Sequence, residues 1–118
     1  MIKPAQDNLL IYQGSTYDKR WAWKSDGQPV DLTGATIKAQ ARPAVQAGVV
    51  FLDMSVENGQ IVIYDAPQGI FGIALSAGQT SALNFNRAAY YDLEIHWSSG
   101  QVQRLIYGEI ALSKEVTR

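Results

Sequence analysis

The sequence predicts an all-β fold: a two-layer antiparallel sandwich of the immunoglobulin-like kind, with about eight strands and at most one short helix. Three observations carry this. Apolar residues recur with period two in most segments, the period of a strand with one buried face. Turn dipeptides, Asp26-Gly27 and Asn58-Gly59 above all, punctuate the chain. The extended segments follow one another at a spacing of roughly ten residues, which suits a sandwich or small barrel.

The elements follow in chain order. Residues 1–7 read as an extended N-terminal arm, since Pro4 fixes its own φ and keeps the preceding residue extended. Asn8–Gln13 holds the apolar run Leu9-Leu10-Ile11-Tyr12. In Ser15–Lys24, Tyr17, Lys19, Trp21 and Trp23 share one face, and a turn at Asp26-Gly27 follows. Val30–Thr33 is a short link between Pro29 and Gly34. Ala35–Arg42 sets Ile37, Ala39 and Ala41 against Thr36, Lys38, Gln40 and Arg42. Pro43–Gly48 is a loop, Val49–Ser55 a strand, Asn58-Gly59 a turn and Gln60–Tyr64 a strand. Ile70–Ser76 aligns Phe71, Ile73 and Leu75, with Gly72 marking a tight spot or bulge. Ser76–Leu83 is the one candidate helix, with Ser76 and Gln79 spaced as a capping box. Ala89–Ser98 places Tyr91, Leu93, Ile95 and Trp97 on one face. Gln101–Ser113 places Val102, Ile106, Ile110 and Leu112 in phase, and 114–118 is a short polar tail. Trp97, Leu93, Ile95, Phe71, Ile73, Leu75, Ile106 and Ile110 form the predicted core.

A chain of 118 residues fits one domain, 1–118, with enough core to dispense with metals or disulfides. Ten Lys and Arg balance eleven Asp and Glu, so no overall field favours nucleic acid. There is no cysteine, which removes disulfides, thiolate metal sites and a Cys nucleophile. No segment has the ~20 apolar residues of a membrane helix, and residues 1–6 lack a signal-peptide stretch, so the expectation is a soluble, unexported chain.

Candidates for chemistry are sparse, and the expectation is a protein that is not an enzyme and takes no cofactor or metal. His96, the single histidine, falls on the polar face between Glu94 and Ser98, where a solvated strand residue is the plain reading. Asp53, Asp65, Asp92 and Glu94 are dispersed and show no calcium-loop spacing. A small hydrolase is therefore a remote rival. Trp21, Trp23 and Trp97 could form a sugar platform, but their phase with apolar neighbours favours the core. Leu105 and Tyr107 are out of phase with the inward set of their strand, and Tyr64 is out of phase with Ile61 and Ile63. They are candidates for a protein contact, or for cross-strand pairs on an exposed sheet.

Four segments, Leu10–Thr16 (LIYQGST), Pro29–Thr36 (PVDLTGAT), Tyr90–Ile95 (YYDLEI) and Val102–Arg118 (VQRLIYGEIALSKEVTR), occur in an order that resembles the small β-sandwich proteins of tailed bacteriophages. These are the modules of long-tail-fibre connectors and the N-termini of baseplate upper proteins. The resemblance spans nearly the whole chain and rests on short ordered segments rather than an active-site motif. It implies a virion structural protein of the tail tip or baseplate, a connector or collar, assembled in the host cytoplasm as a homo-oligomer. Its partners would be other tail, baseplate or fibre proteins, without nucleic acid or membrane insertion. The chain lacks the long fibre-forming extension of larger baseplate proteins, which favours a connector. The contact candidates are then Tyr64, Leu105 and Tyr107, with Met1, Ile2, Lys3 and Pro4 of the arm. The alternative is a carbohydrate-binding module for host adhesion, which requires the tryptophans to be exposed and coplanar.

Overall fold

A computed structural model describes residues 4–85 and 88–117. In chain order the strands are β1 (Ala5–Gln6), β2 (Leu9–Tyr12), β3 (Tyr17–Ala22), β4 (Lys24–Ser25), β5 (Gln28–Pro29), β6 (Thr36–Arg42), β7 (Leu52–Ser55), β8 (Ile61–Asp65) and β9 (Ile70–Leu75). Helix α1 (Ala77–Ser81) follows, then β10 (Ala89–His96) and β11 (Val102–Ser113). Eight of these strands match the expected ones; β1, β4 and β5 are two-residue additions. The expected strand Val49–Ser55 is shorter than its span, because strand geometry starts at Leu52 rather than Val49.

The larger sheet runs β1-β11-β10-β6-β7, with β2 also on β11; the smaller runs β3-β9-β8; β4 and β5 form a hairpin. At the tip of that hairpin Asp26 and Gly27 both take positive φ, 51° and 77°, the geometry of a type I′ turn. The two sheets close over one apolar cluster. Ile11, Ile37, Leu93, Ile95 and Ile110 come from the larger sheet, and Ile61, Phe71, Ile73 and Leu75 from the smaller. Seven of the eight predicted core residues are buried; Trp97 packs against the cluster only in part.

Two features depart from the expected antiparallel plan. First, β1 and β2 run parallel to β11, in one register from Ala5↔Ile106 to Tyr12↔Ser113. They are in effect one strand, interrupted at Asp7-Asn8. There the Asn8 side chain accepts from Glu109 N–H at 3.0 Å. Gly108 is required opposite, since a Cβ would lie 2.4 Å from the Asp7 carbonyl oxygen. From Ala5 onward the N-terminal segment is therefore part of the sheet rather than a free arm. Second, the β10–β11 ladder shifts register between Leu93 and Glu94: Leu93 faces Ile106, but Glu94 faces Arg104. Leu105 is the extra residue of this β-bulge, so Leu105 and Ile106 both face the core.

The expected helix is present and its cap is as read. Ser76 Oγ accepts from Gln79 N–H at 3.1 Å, and Gln79 Oε1 accepts from Ser76 N–H at 2.8 Å. Thr80, fully buried, donates its hydroxyl to the Ser15 carbonyl at 2.8 Å and accepts from Gly14 N–H at 3.0 Å. These bonds pin the helix to the loop after β2. Among the described residues no helix is long and apolar enough to cross a membrane.

Candidate interaction face

The outer faces of the two sheets differ in chemistry. On the smaller sheet Asp18 and Arg20 of β3 point outward, and the Arg20 guanidinium lies 3.7 Å from the centre of the Tyr64 ring. The cation covers much of that ring, so Tyr64 is half-buried rather than an open contact. Among the described residues none of the exposed large hydrophobics lies on this face.

They gather instead on the larger sheet and its loops. Leu9 and Ile11 of β2 enter the core, so alternation turns Leu10 and Tyr12 outward, 46% and 57% exposed. Both belong to the edge where β2 lies along β11. At the opposite edge the uncharged loop between β6 and β7 exposes Val45 (80%), Val49 and Val50. Arg42 braces this loop by donating to the Ala47 carbonyl at 2.6 Å and to Gln40 Oε1 at 2.8 Å.

Between the edges lies an open cup of about 450 Å³, an ordinary ligand-pocket volume. Its walls are Tyr90 and Tyr107, 45% and 42% exposed. Tyr90 faces Glu109 across the ladder and Asp92 faces Tyr107, which makes the tyrosines diagonal neighbours. Asp92 sits beside Gln40 on its other side, and Arg104 Nε is 3.4 Å from Asp92 Oδ2. Burial raises the Asp92 pKa; Arg104 opposes the shift, Glu94 adds to it and Arg42 opposes it.

A second recess, about 220 Å³ and below the usual range of ligand pockets, opens at the seam where β1 approaches β3, lined by Trp21, Trp23, Phe71 and Leu105. Asp7 closes this seam. Its Oδ2 accepts from Trp21 Nε1 at 2.9 Å and lies 3.2 Å from Lys19 Nζ, while its carbonyl accepts the Tyr91 hydroxyl at 2.5 Å. Burial first, then the Asp7 charge, pushes the Tyr17 pKa up to about 12; Tyr91 is raised by the same causes and by Tyr17.

Of the residues singled out from sequence, Tyr107 is exposed and lines the cup. Leu105 is 5% exposed, a correction: the bulge turns inward a residue that simple alternation turns outward. The same shift exposes Val102, which alternation places inside. Pro4 is half-buried, and Met1, Ile2 and Lys3 lie outside the described residues. The tryptophans do not make an outward platform. All three pack against the core, the Trp97 indole donates to Gln103 Oε1 at 2.9 Å, and the Trp23 and Trp97 rings are tilted by 37°. His96 is half-buried on the outer face, 3.4 Å from Glu94. Among the described residues no group of three or more His, Cys, Asp or Glu is placed to hold a metal ion. Leu10, Tyr12 and Tyr90 were missed as surface candidates, although alternation with Leu9, Ile11 and Tyr91 marks them.

No family model matches the chain, and no curated protein does. Among solved structures, the N-terminal domain of phage TP901-1 ORF48 is similar, with a TM-score of 0.59 at 15% identity over 95% of this chain and 91% of that one. At that identity the likeness shows the fold: the chain has the same all-β architecture, end to end, as a domain of a phage protein.

Proposed function

We propose that the chain is a structural module of a phage virion, in the tail tip or baseplate, that connects neighbouring subunits or fibres by docking. The observation that carries this reading is the end-to-end likeness to a domain of a phage protein, 95% of one chain against 91% of the other. The ordered segments from Leu10–Thr16 to Val102–Arg118 support it from the sequence side. Catalysis has no part in this reading.

The surface suggests how the module docks. Its two apolar patches sit at opposite edges of one sheet: Leu10 and Tyr12 on β2, and Val45, Val49 and Val50 beside β7. A two-fold contact would use one patch twice and leave the other wet. A head-to-tail contact covers both with a single kind of interface, and repeats into a ring or a row. Among the described residues, edge strands β2 and β7 also carry main-chain groups without a strand partner on their outer sides, which such a contact can use.

Two measurements test this. Peptides of the chain should be found by mass spectrometry in purified particles of its phage; their absence would overturn the virion role. Tyr12→Asp and Val45→Asp should each abolish self-association in sedimentation velocity, while an equimolar mixture should form heterodimers through the one intact patch on each. If Val45→Asp associates like the unaltered protein, or the mixture stays monomeric, the head-to-tail arrangement is wrong.

A further inference from the structure

We propose that the cup on the outer face of the larger sheet binds a neutral saccharide or a similar polyol. This goes beyond the docking role: Tyr90, Asp92, Arg104 and Tyr107 stand at the centre of the face, and of the docking residues only Val45 reaches the cup. The geometry supplies both things that sugar recognition needs. Tyr90 and Tyr107, each nearly half exposed, offer two aromatic rings for the C–H surfaces of a pyranose. Between them stand polar groups already paired with one another. Arg104 Nε lies 3.4 Å from Oδ2 of Asp92, which sets a guanidinium and a carboxylate side by side, the one able to donate to sugar hydroxyls and the other to accept from them. Gln40 is held by Arg42, and Gln6 on β1 adds an exposed amide at the rim. Carboxylate, guanidinium and amide can together accept from and donate to vicinal hydroxyls.

Charge selects among ligand classes. Arg42 and Arg104 are matched by Asp92 and Glu109 around the same cup. A phosphorylated or acidic sugar gains no net attraction there. A wholly apolar ligand would cover the Asp92–Arg104 pair without replacing its water, which is costly. A neutral polyhydroxylated ligand suits both walls and floor. The volume leaves room for one or two sugar rings.

The test is a titration of the isotopically labelled protein, followed by amide chemical shifts, with glucose, galactose, mannose and N-acetylglucosamine, and with glucose 6-phosphate as the charged control. The expected result is saturable shifts at millimolar concentration with at least one neutral sugar, centred on Tyr90, Asp92 and Tyr107, and weaker binding of the phosphate. Tyr90→Ala or Tyr107→Ala should weaken that binding about tenfold or more. Asp92→Asn, which keeps the shape, should weaken it with the rest of the spectrum unchanged. The proposal fails if no neutral sugar saturates the cup, if shifts map to the Trp21–Trp23 recess, or if the tyrosine variants bind unchanged. Shifts at the cup appearing only on self-association would assign it to a protein contact instead. Loss of particle incorporation in Tyr12→Asp, a residue outside the cup, with sugar binding intact, would separate the two roles.

Discussion

Replacing Asp7 by alanine tests whether the N-terminal strand is locked to the sandwich by one side chain. The change removes the acceptor of the Trp21 indole bond and the anionic partner of Lys19, and leaves the main-chain bonds of residue 7 in place. A hydrogen bond to a charged group contributes about 1.5–3 kcal/mol. The Lys19 pair is about one-third exposed on each side and adds at most about 1 kcal/mol. The expected loss is therefore about 1.5–4 kcal/mol, toward the lower end because water can reach the half-buried indole. A small domain holds roughly 5–15 kcal/mol in all, so the variant should still fold. Urea unfolding followed by tryptophan fluorescence measures the difference. Asp7→Asn keeps an acceptor for the indole and should cost clearly less. An alanine variant within about 0.5 kcal/mol of the unaltered protein, the usual range for a neutral surface change, would refute the reasoning. So would an asparagine variant as damaged as alanine.

Three further outcomes are expected. Leu93→Ala, in the middle of the core beside the bulge, should cost about 2–5 kcal/mol in the same unfolding assay. Gly72→Ala should destabilise by at least about 1–3 kcal/mol, because its Cβ would lie 2.2 Å from the Lys19 carbonyl oxygen and the backbone of β3 must yield. Alkaline pH should weaken the fold through Tyr17: folding raises its pKa from 10.0 to about 12, so the neutral form is favoured in the folded state. That stabilisation is complete below pH 10 and lost as pH climbs through about 12, with Tyr91 shifted in the same direction. Tyrosinate absorbance shows the effect, and all tyrosines titrating near 10 with the fold intact would contradict it.

The strands whose alternation is unbroken were legible in the sequence. β9 puts Phe71, Ile73 and Leu75 inside, and β10 puts Tyr91, Leu93 and Ile95 inside, as period two requires. The capping box of α1 was equally plain, because its signal is local. What failed depends on neighbours. The bulge at Leu105 is a property of the β10–β11 pair, and nothing in the β11 sequence alone announces an extra residue. The Asn58-Gly59 signal marks a turn but not its destination. β7 belongs to the larger sheet and β8 to the smaller, and the Asn58 side chain stabilises the crossing by bonds to Ser55, Gln60 and the Asp53 carbonyl. Parallel pairing of the N-terminal strand is a contact between opposite ends of the chain, invisible to local pattern. The cup is harder still: it needs Gln6, Gln40, Asp92 and Tyr107 from four strands set side by side. Only Tyr107 among its walls was named from sequence.

The parallel seam between the first strands and the last has a mechanical consequence. β2 and β11 run in the same direction with their hydrogen bonds evenly spaced between Leu9↔Ile110 and Tyr12↔Ser113. A tensile force that drags the N-terminal strand one way and the C-terminal strand the other slides them past each other along their length. Every bond of the seam then bears load at once, whereas an antiparallel hairpin pulled at its open end unzips one bond at a time. The sandwich is thus strongest along the line that joins its ends and weak to forces that peel a sheet edge sideways. Single-molecule pulling through the two termini should give one high rupture peak, and pulling through Val45 and Arg118 a much lower one.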